Sequence, residues 1–124
     1  MNSEPPYSRA QRVGDQIQRE IGDLLLRGEI KDPRIGRGFA TVTRVSLTKD
    51  LRIAKVYVSV IGSEQACVDT IKGLQSAAGY IQREMGRRLR LKYTPEIRIL
   101  HDDSFAKAAQ INKLLDEVSE EGKA

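Results

Sequence analysis

Cysteine, histidine and tryptophan are nearly missing from this chain, which has one cysteine (Cys67), one histidine (His101) and no tryptophan in 124 residues. A lone cysteine excludes an internal disulfide and fits a reducing compartment. One histidine and one cysteine offer no ligand set at a familiar zinc spacing, so no metal is expected. His101 is followed by Asp102, Asp103 and Ser104. These are the letters of a hydrolytic triad, but consecutive side chains do not converge on one reacting atom. Capping oxygens for a following helix explain the same residues, and nothing in the spacing points to a Cys67/His101 dyad. No G-x-x-x-x-G-K-S/T occurs, which argues against a P-loop nucleotidase. The chain is therefore read as a non-enzyme without a cofactor. No apolar run approaches the roughly 20 residues of a membrane span. The opening MNSEPPYSRAQR has no apolar stretch of the secretory kind. A cytoplasmic protein without membrane contact is the expectation.

What the chain does have is charge. With 40% hydrophobic and 31% charged residues it has the composition of a soluble globular domain, and its length allows a real core without staples. The net charge of +4 and the isoelectric point near 9.4 make a polyanionic partner plausible. The distribution says more than the sum. From Arg83 to Arg98 six basic residues meet two acidic ones, a net +4, whereas residues 101–124 hold three basic and six acidic, a net −3.

Periodicity divides the chain into elements. Residues 1–8 read as a flexible arm around Pro5-Pro6. Ser8 can cap a helix from Arg9 to Arg27, whose stripe is Val13, Ile17, Ile21, Leu24 and Leu25, with Gly28 as a stop. Lys31-Asp32-Pro33-Arg34-Ile35-Gly36-Arg37-Gly38 is a basic loop by its Pro and Gly content. Its GxG has no strand before it, so a phosphate cradle is not indicated. Phe39–Thr48 and Leu51–Val60 alternate as two strands joined by a hairpin turn at Thr48-Lys49-Asp50. In the first, Thr41, Thr43, Val45 and Leu47 are set against Val42, Arg44, Ser46 and Thr48. A helical pair occupies Val68–Leu91, then Tyr93-Thr94-Pro95 breaks it and Glu96–Leu100 forms a third strand. A last helix is expected from Phe105 to about Ser119, with residues 119–124 frayed. The order is α-β-β-α-kink-α-β-α, an α+β domain over residues 9–118 with a three-stranded sheet packed by helices.

The helical pair carries the functional signal. Val68, Ile71, Leu74 and Ala78 make one stripe, and Ile81, Met85 and Leu89 another, with Ala77-Ala78-Gly79 between them. A glycine in this position implies a kink or a close helix contact. Beyond it Arg83, Arg87 and Arg90 fall at i, i+4 and i+7, which would place them on one helix face, with Arg88 and Lys92 flanking. A solvated face is the bland reading of any charge run. Here arginine dominates, and its planar fork matches phosphate and stacks on bases. Lys31, Arg34 and Arg37 offer a second basic contact, with Phe39 as a stacking group. Tyr80 and Tyr93 are better read as packing residues. Three classes follow: an RNA-binding KH-type domain, a helix-turn-helix DNA regulator and a protein-interaction adaptor. The hairpin before the helical pair favours the first. KH domains usually clamp backbone with a GXXG loop, and no GxxG occurs here.

Four stretches together resemble the bacterial ribosome-binding factor A family. They are Asp32-Pro33-Arg34, TVTRVSLTKDLRIAKVYVSV at 41–60, AAGYIQREMGRRLRLKYTPEIRI at 77–99, and Asp102-Asp103-Ser104. The resemblance implies a type II KH-like fold in which an interhelical Ala-x-Gly kink, by position Ala77-Ala78-Gly79, replaces the GXXG loop. It also implies a cytoplasmic monomer that binds the immature small (30S) ribosomal subunit and its 16S rRNA. That activity supports late maturation and 5′-end processing and helps growth in the cold. Maturation GTPases or initiation factors would promote release. The family's long C-terminal extension has little counterpart in this sequence.

Overall fold

The computed structural model describes residues 8–104 and 114–115. The first helix, α1 (Arg9–Leu26), begins where the capping pattern places it: the Ser8 hydroxyl accepts the Gln11 N–H at 3.2 Å, and the Gln11 side chain accepts the Ser8 N–H at 2.8 Å. These reciprocal bonds satisfy two end donors. The helix stops at Gly28, whose φ of +65° is the left-handed conformation glycine adopts without a Cβ clash. Val13, Ile17, Ile21 and Leu24 are buried, as their spacing requires.

After a loop that includes a short 3-10 turn at Ile35–Arg37, β1 (Phe39–Leu47) and β2 (Ile53–Ile61) pair antiparallel. The turn between them is held by Thr48, which donates to the Asp50 carboxylate at 2.6 Å. In β2 the alternation holds: Ala54, Val56 and Val58 are buried, while Lys55 on the opposite face is exposed. In β1 it fails. Val42 pairs with Val58 and Arg44 with Tyr57, so Thr43 is an extra residue that opposes nothing. This bulge resets the strand. Ala40 and Val42 before it, and Val45 and Leu47 after it, are the more covered residues, and the simple two-face division of the strand does not apply.

Ser63 caps α2 (Glu64–Ser76) by accepting the Ala66 N–H at 3.1 Å. Ala77 alone separates α2 from α3 (Ala78–Leu89), and Glu96–His101 forms β3. Strand β3 lies parallel to β2, in the sheet order β1-β2-β3. A parallel pair cannot be joined by a hairpin, so α2 and α3 supply the crossover. One core holds Ile17, Ile21 and Leu24 of α1 with Leu74, Ile81 and Met85 of the crossover against Val56, Val58, Ile97 and Ile99 of the sheet. The architecture is the expected α+β, KH-like one through β3. The N-terminal arm, the helix expected from Phe105 and the C-terminal tail lie outside the described residues, Ser8, Leu114 and Leu115 apart.

Candidate nucleic-acid interface

The junction between α2 and α3 has an unusual chemistry because alanine occupies the cap position. No side chain caps α3 at Ala77. The Ala77 N–H itself donates to the carbonyls of Gly73 and Leu74 at 3.0 and 3.1 Å, and Ile81 donates to Ala77 at 2.9 Å. The chain thus turns within one residue, leaving first-turn N–H groups of α3 without helical partners. Gly79 is exposed there. Among the described residues a Cβ on it would meet only the Arg83 guanidinium, at 3.8 Å, so this glycine makes no close helix contact there. The tight glycine is Gly73: a Cβ on it would lie 2.9 Å from Ile35 Cγ1 and 3.2 Å from Arg34 Cβ. Small residues thus serve two purposes around the turn. Gly73 lets the loop pack down, and Gly79 leaves bare backbone toward solvent.

That packing brings the basic loop to the kink. The Asp32 carboxylate takes the Arg34 guanidinium at 3.0 and 2.7 Å and the Arg34 N–H at 2.9 Å. These bonds, chiefly those of the guanidinium, hold the Asp32 pKa down to about 2. Arg34 then donates to the Ser76 hydroxyl at 2.9 Å, fastening the loop to the end of α2. From the other side, Gln75 donates to the Ile99 carbonyl at 3.2 Å and ties the same helix end to β3. Arg37 pairs with Asp69 at 3.0 Å and keeps 61% of its side chain exposed. Lys31 is exposed. A cleft of about 320 Å³ lies between loop and kink, lined by Lys31, Asp32, Ser76, Ala77 and Tyr80 among others.

The arginines of α3 divide into two groups. Arg83 and Arg87 are exposed one turn apart, and Arg87 touches Glu84 at 3.0 Å while 78% of its side chain stays open. Arg90 does not continue their helical row. It is the C-cap, with φ +49°, so the chain leaves the helix there, although Arg90 and Lys92 are both exposed. The Lys92 ammonium lies 5.6 Å from the Tyr93 ring centre.

Arg88 turns instead toward α1. Its guanidinium meets Glu20 at 2.8 Å, Asp23 and Glu29 at 3.2 Å and Glu84 at 3.4 Å, and only 23% of the side chain is exposed. These partners, Glu20 first, push its pKa above the ordinary arginine value. An arginine committed to four carboxylates fastens α1, the following loop and α3 together and presents no fork to phosphate. Arg34, bound to Asp32 and Ser76, is likewise more a strut than a free contact.

Residues outside the expected set also reach the surface. Lys72 on α2 is exposed. On the solvent face of the sheet Arg44 stacks over the Tyr57 ring at 4.2 Å, with Lys55 exposed beside them. Alternation along β2 accounts for the exposure of Lys55, whereas the bulge that sets Arg44 on Tyr57 has no signal in β1 alone. Among the described residues no group of three His, Cys, Asp or Glu side chains is placed to hold a metal ion.

Known proteins resemble this chain in sequence and in fold. A protein of Acetivibrio thermocellus named ribosome-binding factor A is 49% identical over 115 residues, covering 93% of this chain and 92% of its own. One of the same name from Gloeobacter violaceus is 47% identical over 116 residues, covering 94% and 90%. The solution structure of a Thermotoga maritima protein is 35% identical and superposes with a TM-score of 0.58, covering 80% of this chain and 91% of its own. A model of the Thermus thermophilus ribosome-binding factor A, fitted into the cryo-electron microscopy map of its complex with the 30S subunit, shares the fold at a TM-score of 0.62 and 24% identity, covering 77% and 97%. The family model for ribosome-binding factor A matches residues 9–115, and on that extent together with the identities above the chain belongs to the ribosome-binding factor A family.

Proposed function

We propose that the chain docks without chemistry on folded 16S rRNA of the immature 30S subunit, through the surface built around the α2–α3 turn. The observation that carries this reading is the convergence of two basic segments distant in sequence. The Arg34–Ser76 bond and the Gly73 contact seat the Lys31–Arg37 loop beside Ala77. An uncapped helix start, bare backbone at Gly79 and exposed Arg83 and Arg87 then share one side of the turn. Unpaired N–H groups and cations together suit a phosphate chain. Arg90 and Lys92 extend the surface past the end of α3, and Arg37 lends a partly committed charge.

The relatives' name supports a ribosomal target, and the Thermus thermophilus factor's complex supports the small subunit. In this reading residues 9–118 act as one RNA-binding domain in the cytoplasm, as a monomer. The bound protein steadies a late intermediate during 5′-end maturation, which matters most in the cold, where misfolded RNA escapes slowly. Release falls to maturation GTPases or initiation factors.

The test is co-sedimentation of the parent chain and the double variant Arg83→Gln with Arg87→Gln against 30S subunits, 50S subunits and duplex DNA over a salt series. Two lost phosphate contacts should lower the slope of log K against log salt by about 1.4–1.8. An unchanged slope refutes the assigned surface, salt-independent binding favours a protein adaptor, and preference for duplex DNA favours a regulator.

A further inference from the structure

A second hollow lies on the other side of the same loop. Helix α1 presses on β1 at its N-terminal half, where a Cβ on Gly14 would lie 3.1 Å from the Val45 carbonyl oxygen. Toward its C-terminal end the helix and strand diverge. Among the described residues, a Cβ on Gly22 would meet nothing within 4 Å. Between them opens a groove of about 700 Å³, bounded by Ile30 and Ile35 of the loop and by the start of β1. Its size is that of small-ligand sites. Leu26, 86% exposed, and Phe39, 67% exposed, both line it, so apolar surface stands open to water.

Three features narrow the occupant. The walls at Gly22 and Gly36 are bare backbone with open space in front, which admits a flat ring. An aromatic ring is free to stack, since Phe39 is largely uncovered. The charge of the lining favours an anion: Arg19 is exposed, and the one carboxylate among the described lining residues, Asp32, is already bound by Arg34. A nucleotide combines flat ring and negative charge. The groove also shares Ile30 and Asp32 with the cleft beside the kink, so one RNA strand can cross the loop from cleft to groove.

We propose that this groove receives one unstacked base of single-stranded rRNA, stacked on Phe39 with its phosphate toward Arg19. The proposal rests on the RNA-docking reading above. It adds a contact to a base where that reading invokes contacts to phosphates.

Gly22→Leu fills the groove from a helix position with room for it, and Leu is the better helix former, so melting should be unchanged or later. Phe39→Ala removes the exposed ring. The probes are a single-stranded RNA hexanucleotide carrying 2-aminopurine, its abasic counterpart of equal charge, and 30S subunits. The parent chain should quench the 2-aminopurine and bind the abasic strand more weakly. Each variant should lose the quenching and bind the fluorescent strand about 5- to 150-fold more weakly, the effect of one stacked base, with its salt slope unchanged. Absence of quenching by the parent overturns the proposal, as does unchanged hexanucleotide binding by both variants. If the two variants weaken 30S binding but not hexanucleotide binding, the groove holds a protein side chain and the base assignment fails. The Arg83→Gln, Arg87→Gln double variant separates the two readings. Weaker subunit binding there, with Gly22→Leu silent, leaves phosphate docking standing and removes the groove.

Discussion

Replacing Arg88 with alanine should damage the fold and spare the docking surface, the reverse of what its place in a basic run suggests. The side chain meets four carboxylates at 2.8–3.4 Å, from α1, the following loop and α3. Exposed pairs contribute roughly 0.2–1 kcal/mol each. Breaking a fully buried pair costs about 3–5 kcal/mol, but that figure does not apply here. Arg88 is 23% exposed and its partners 13–39%, so the freed carboxylates can hydrate. Two of them also keep another cation: Arg27 touches Asp23 at 2.9 Å, and Arg87 touches Glu84 at 3.0 Å. Among the described residues, Glu20 and Glu29 are left with no other ion pair. The net loss should be about 2 kcal/mol, or roughly 6–10 °C in Tm for a domain of this size. Thermal unfolding followed by circular dichroism at neutral pH measures it.

The pH dependence tests the cause. Arg88 is the largest influence lowering the Asp23 pKa. A carboxylate with a depressed folded pKa contributes stability above its unfolded pKa, and that contribution is lost as pH falls through the folded one. The melting curves of parent and variant should therefore converge below about pH 4. In 30S co-sedimentation the variant should keep the parent's salt slope at temperatures where it is folded. A Tm within about 1 °C of the parent, combined with a shallower salt slope, would refute this account and return Arg88 to the RNA-facing set.

Two further outcomes follow from the seating of the loop. Gly73→Ala would put a methyl group 2.9 Å from Ile35 Cγ1; overpacking of this kind should cost about 1–3 kcal/mol in urea unfolding and weaken 30S binding by displacing the loop, and an effect on neither would show that the contact is slack. Asp32 should titrate near 2 by carboxyl NMR, against an ordinary 3.8, because Arg34 binds its charged form; its contribution is complete above the ordinary value and fades as pH falls toward 2, so Asp32→Asn should flatten stability across that window, and a titration at the ordinary value would refute the bidentate pair.

Much of the fold is legible in the chain because local rules agree with tertiary demands. Ser8 with Gln11, the β2 alternation and Pro95 before β3 each specify one outcome. The bulge at Thr43 is harder to read, because Val42 and Val45 both turn inward only when an extra residue lies between them, and the partner strand decides that. The arginines are a different case. Arg88 follows Met85 by three and Ile81 by seven, so it continues the buried stripe, while Arg83 and Arg87 do not. The spacing contained that distinction, and counting charges along the run hid it. Arg90 misleads for another reason: the helix ends at Leu89, and the i+7 rule has no helix left to act on. The meeting of loop and kink could not be read locally. Arg34 and Ser76 are 42 residues apart, and only the packing of Gly73 against Ile35 brings them together.

The same residue type therefore performs opposed tasks within a few ångströms, and the neighbours decide which. An arginine surrounded by carboxylates has its field cancelled locally, and what remains is geometry: Arg34 and Arg88 fix where the loop and α1 sit relative to α3. An arginine with most of its surface in water keeps its field, screened over about 8 Å at physiological salt, and can exchange its counterions for phosphate. The struts must be strong for the free cations to matter, since a phosphate chain recognises spacing as well as charge. A turn made by one alanine, with no side chain cap and no Cβ at Gly79, supplies the remaining element, a patch of backbone donors whose position is fixed by Gln75 on one side and Arg34 on the other. Loss of a free arginine should thus weaken docking most at low salt and flatten its salt dependence, while loss of a strut should disturb every contact together. That difference in pattern separates a surface that only happens to be basic from one built to be read by RNA.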